Sequence, residues 1–90
     1  MEDNKQQYLS LLSEIIAKEM MILGPDMAIL TAQSIDGLVV DKNGVVTDIV
    51  GYEADAVKKM IDEYQKISGV AADEVINSIF EKYPQIKRIT

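Results

Sequence analysis

Residues 37–51 constrain the fold more than any other part of the chain. They read Gly-Leu-Val-Val-Asp-Lys-Asn-Gly-Val-Val-Thr-Asp-Ile-Val-Gly, two β-branched runs around Asp41, Lys42, Asn43 and Gly44. Branched side chains favour extended backbone, while Asn and Gly tolerate the positive φ of tight turns. The pattern predicts a hairpin with strands at 38–40 and 45–50, closed by a type I turn with Gly44 in the left-handed bulge position. Its alternation is impure. Leu38 and Val40 share one face with Val39 on the other, and Val45, Val46, Ile49 and Val50 divide between the two. A strand apolar on both faces is expected to be covered on both. A lone hairpin is marginal in water, so helices must pack on it or another copy must extend it.

The rest of the chain has helical periodicity. Over residues 7–23, Leu9, Leu12, Ile16, Met20 and Leu23 recur at spacings of three and four, and Tyr8, Leu11, Ile15 and Ile22 form a second stripe beside them. Charge is confined to a narrow strip through Glu14 and Lys18, with Glu19 on its margin. A helix apolar on most sides is buried on most sides. That burial is hard to arrange within one short chain, so this helix predicts a partner.

Gly24-Pro25-Asp26 breaks the first helix and starts a second over 25–33, because proline suits the first helical position and an acid suits the positive end of the helix dipole. A third helix, 53–68, sets Val57, Met60, Ile61, Tyr64 and Ile67 against Lys58, Lys59, Asp62, Glu63 and Lys66, with Gly69 placed to end it. A fourth, 71–83, buries Ala72, Val75, Ile76, Ile79, Phe80 and Tyr83 before Pro84 stops it. Residues 1–6 and 85–90 are expected to fray, or the tail adds a short edge strand. The expectation is a single α+β domain over 1–90: four helices around one antiparallel hairpin, in the order α-α-β-β-α-α.

Composition removes whole classes of chemistry. The ninety residues contain no Cys and no His, which excludes disulfides, thiolate nucleophiles, most zinc sites and the commonest general base. One arginine and eight lysines stand among fifteen acids, for a net charge of −6, and this argues against nucleic-acid binding. The acidic opening lacks the positive charge of a secretory leader, and no apolar run approaches a membrane span. A cytoplasmic address is the expectation.

Individual motifs read as structure. Asp41 to Gly44 with Asp48 lacks the spacing of a calcium loop, which needs Gly at its sixth position and Glu at its twelfth. Gly24-Pro25-Asp26 loses one amide to proline and fills the helix start with an acid, so it is no anion site. Gly37, Gly44 and Gly51 are too far apart to cradle phosphate. Asp62-Glu63 and Asp73-Glu74 are sequence neighbours that diverge around a helix, unlike a convergent catalytic pair.

No catalytic residue, metal ligand or cofactor is therefore assigned. The leading expectation is a non-enzymatic interaction or regulatory module, adaptor-like and self-associating, with a dimer favoured. Its surface would be Leu9, Leu12, Ile16, Met20 and Leu23, or the hairpin edge. The alternative is a small-molecule sensor with a cleft between the hairpin and the third helix near Asp48 and Tyr52.

Overall fold

The fold is described from a computed structural model over residues 4–86. Helix α1 (Asn4–Leu23) is followed by α2 (Pro25–Gln33), the strands β1 (Leu38–Val40) and β2 (Val46–Ile49), then α3 (Glu53–Ser68) and α4 (Val70–Phe80). The order is α-α-β-β-α-α and the class is α+β. Several boundaries move from those expected. Residues 4–6 join α1, Val45 and Val50 fall outside β2, and α4 begins at Val70 and ends at Phe80. Gln85 and Ile86 follow α4 in a turn and bend, with Ile86 buried; Ile89 lies outside the described residues.

Helix α1 is the central element. It packs against α2, α3, α4 and β2, so most of its two apolar stripes finds cover within one chain, while Ile22 at its end stays exposed. Leu11, Leu12, Ile15 and Ile16 have no accessible surface, and each such burial is worth about 1.5–3 kcal/mol. The amphipathic α3 closes the opposite side with Ala56, Val57, Met60, Ile61 and Tyr64, while α4 adds Ala72, Ile76 and Ile79. Ile67, expected on the buried face of α3, remains 44% exposed.

The hairpin is antiparallel, pairing Leu38 with Ile49, Val39 with Asp48 and Val40 with Val46. The jump between the last two pairs leaves Thr47 as an extra residue, a bulge. It resolves the uneven alternation: Leu38, Val46 and Ile49 are all buried, although Val46 and Ile49 are three apart. The other face is open rather than covered, with Val39 and Val45 exposed. At the tip, the Gly44 amide donates to the Asp41 carbonyl at 3.0 Å, and the Asp41 amide donates to the Val45 carbonyl at 2.9 Å. Gly44 has φ +85°, and a Cβ there would stand 3.1 Å from Ile16, 3.2 Å from Ile29 and 3.3 Å from Met20. The turn needs glycine for its backbone and for its seat on the helices.

Two further glycines each join a pair of helices alone. Gly24 (φ +88°) turns α1 into α2, and Gly69 (φ +56°) turns α3 into α4. These corners lie together. The Tyr64 hydroxyl donates to the Ala28 carbonyl at 2.7 Å, tying the start of α2 to α3, and Ser68 meets Glu19 of α1.

Candidate functional site

The surface expected on α1 is divided by the fold. Leu12 and Ile16 are fully enclosed by the chain's own elements, so they are not available to a partner in the folded state. Leu9, Met20 and Leu23 are half-buried against the same core. The hairpin is also partly closed to strand addition. The Val46 amide donates to Ser13 Oγ at 2.9 Å, and Gln33 Nε2 donates to the Val40 carbonyl at 3.4 Å, which occupies backbone groups that an added strand would use.

Exposed apolar side chains gather instead near the two corners. Met21 is 82% exposed and Val70 is 74% exposed, with Ile22, Met27, Leu30 and Ile67 also open to solvent. Five of the six lie on the helix turns that flank Gly24 or Gly69, and Leu30 lies one turn further along α2. Leu23, Gly24, Pro25, Asp26, Met27 and Leu30 outline one shallow concavity there. Asp26 is one of its lining residues, and Lys18 is exposed on α1 one turn before Met21 and Ile22.

The alternative cleft takes a different shape from the one expected. A shallow depression does lie between the base of the hairpin and α3, lined by Gly37, Val50, Gly51, Tyr52, Asp55, Ala56, Lys59 and Asp36. Tyr52 stands at it, 72% exposed. Asp48 is not among its lining residues. Its carboxylate pairs with Lys5 at the start of α1 and accepts the Ile49 amide, and these contacts hold its pKa below the ordinary carboxyl range. The structure therefore does not bring Asp48 and Tyr52 into one site. In the turn, Asp41 Oδ1 accepts the amides of Asn43 and Val45, both at 2.9 Å, so its carboxylate serves the turn.

Two glutamates of α1 complete the inventory of unusual groups. Glu14 accepts the Tyr83 hydroxyl on Oε2 and Lys82 Nζ at 3.1 Å on Oε1. The tyrosine bond is the largest influence holding the carboxyl below its usual range, while burial and the neighbouring carboxylate push Tyr83 up to about 12. Glu19, placed by periodicity on the margin of the charged strip, is instead completely buried. Its Oε1 is 3.0 Å from Ser68 Oγ, and its Oε2 has no hydrogen-bond partner among the described residues. Desolvation raises its pKa, and Ser68 opposes that only in part. Tyr64, dry and close to Glu19, is raised as well.

Comparison with protein families, curated proteins and solved structures finds no match to this chain. Among the described residues, no helix is long and apolar enough to cross a membrane.

Proposed function

We propose that this chain is a non-enzymatic, adaptor-like interaction module that pairs with a second copy of itself through the end bearing the Gly24 and Gly69 corners. The observation carrying this reading is the gathering of Met21, Ile22, Met27, Leu30, Ile67 and Val70 at that end, while comparable side chains on the other face of α1 lie in the core. Apolar surface gathered in this way favours protein contact over solvent. Lys18 and Asp26 supply both signs beside it, which a two-fold contact needs, because each patch then meets its own charges in reverse. Methionines at two of the six positions give a surface that can repack on contact.

Light scattering on a sizing column across a concentration series tests the reading. The expected mass is about 20 kDa, twice the 10.0 kDa chain. Met21→Glu combined with Leu30→Glu should return the chain to monomer with its helical circular dichroism intact, since both side chains are solvent-facing. A monomer at every concentration overturns the pairing. A dimer that survives the double substitution overturns its location.

A further inference from the structure

Among the described residues, Glu19 is the one charged side chain with no accessible surface. The hydroxyl beside it is over-subscribed. Ser68 Oγ lies 3.0 Å from Glu19 Oε1 and also 3.0 Å from the Tyr64 carbonyl, yet a hydroxyl carries a single proton. If Glu19 is ionised, the single Ser68 proton can serve the carboxylate, since the Tyr64 carbonyl already takes part in the α3 backbone ladder. Oε2 is then left carrying half of a charge with no donor among the described residues. If Glu19 is neutral, every proton has a place. Its own O–H donates to Ser68 Oγ, and Ser68 donates to the Tyr64 carbonyl. The oxygen left over, Oε2, is then an uncharged carbonyl, far cheaper to leave unpaired in a dry site than half of a carboxylate.

We propose that Glu19 is a pH-sensitive latch, closed as the neutral acid, whose ionisation loosens the last turns of α1 from the end of α3. Among the described residues, no neighbouring cation offsets that ionisation. Lys66 of α3 pairs with Glu63 at 3.2 Å, and Asp73 of α4 accepts Gln65 Nε2 at 2.6 Å. Lys18 of α1, Asp26 of α2 and Glu74 of α4 are on the exposed surface. Tyr64, the titratable group that senses Glu19, directs its hydroxyl to Ala28 and is itself held neutral by burial.

The sign follows from linkage. A carboxyl whose folded value lies above its unfolded value keeps a proton in the fold that the open chain has released. Between the ordinary 4.5 and the raised value, stability therefore falls as pH rises. The folding constant drops about tenfold per pH unit in that window and levels off above it.

Carbon-detected NMR of the Glu19 carboxyl across a pH series reads the latch directly, and urea unfolding over the same series reads its consequence. The expected results are a midpoint above 4.5 and a declining folding constant in the wild type. Glu19→Gln, which keeps the shape and removes the titration, should abolish that decline and be the more stable protein at neutral pH. A Glu19 midpoint at or below 4.5 overturns the proposal, and so does a decline that survives intact in Glu19→Gln. The wild-type series decides the matter even if the glutamine variant does not fold: a raised carbon midpoint with no parallel fall in the urea folding constant overturns the latch.

Discussion

Glu14 and Glu19 sit five positions apart on one helix and meet opposite fates. Glu14 reaches the end of α4, where a phenol and an ammonium both donate to it, so the fold favours its charge. Glu19 points into the junction of α1 and α3, where one shared hydroxyl is its only partner among the described residues, so the fold resists its charge. The same side chain is a staple in one place and a liability in the other. What decides between them is the number of donors supplied for the water removed. A buried carboxylate with enough donors gains stability as pH rises through its titration, and one without them loses it.

Three substitutions sharpen this contrast. The largest effect is expected from Tyr64→Ala, which removes the fully buried ring beside Glu19 and its hydroxyl's bond to the Ala28 carbonyl; by analogy with aromatic truncations it should cost about 3–5 kcal/mol in urea unfolding. If water then fills the space, the Glu19 midpoint should return toward 4.5, and a midpoint that stays raised would remove the ring from the account. Next comes Ser68→Ala, which deprives Glu19 of its one partner. A loss of about 1–3 kcal/mol is expected at neutral pH, and it should shrink toward acid, where the unpaired carboxyl is neutral. The smallest is Tyr83→Phe, about 1 kcal/mol at neutral pH. Because the folded value of Glu14 lies below 4.5, its stabilisation is fully present above 4.5 and disappears as pH falls through the lowered value. The difference between Tyr83→Phe and wild type should therefore close in acid. A difference that stays constant down to the lowest pH would mean that Tyr83 acts by packing alone.

Much of the architecture is legible from residue pattern. The branched runs around Asp41 to Gly44 locate the hairpin and its left-handed glycine, and the charge segregation along α3 locates its buried face. The failures have physical causes. Helix α1 reads as needing a partner along its whole length because periodicity counts stripes, not neighbours; four other elements cover most of it here, and only its end keeps Met21 and Ile22 exposed. The extra residue Thr47 changes which side chains of β2 share a face, and nothing in composition announces a bulge. Glu19 escapes detection because a glutamate at a stripe boundary ordinarily turns to water. Its burial depends on where Ser68 and Tyr64 arrive from far along the chain. The cleft expected at Asp48 and Tyr52 fails for a similar reason: Lys5, at the other end of the sequence, draws Asp48 aside.

Hairpin tips are commonly the first part of a small domain to open. This one is anchored, because its glycine lies buried against Ile16 and Met20 of α1 and Ile29 of α2. Freeing the turn means withdrawing it from two helices at once, so its opening belongs to the cooperative unit that contains them. The hairpin is thus built less as a movable flap than as a wedge holding the angle between α1 and α2, with its outer valines left as the face that meets solvent.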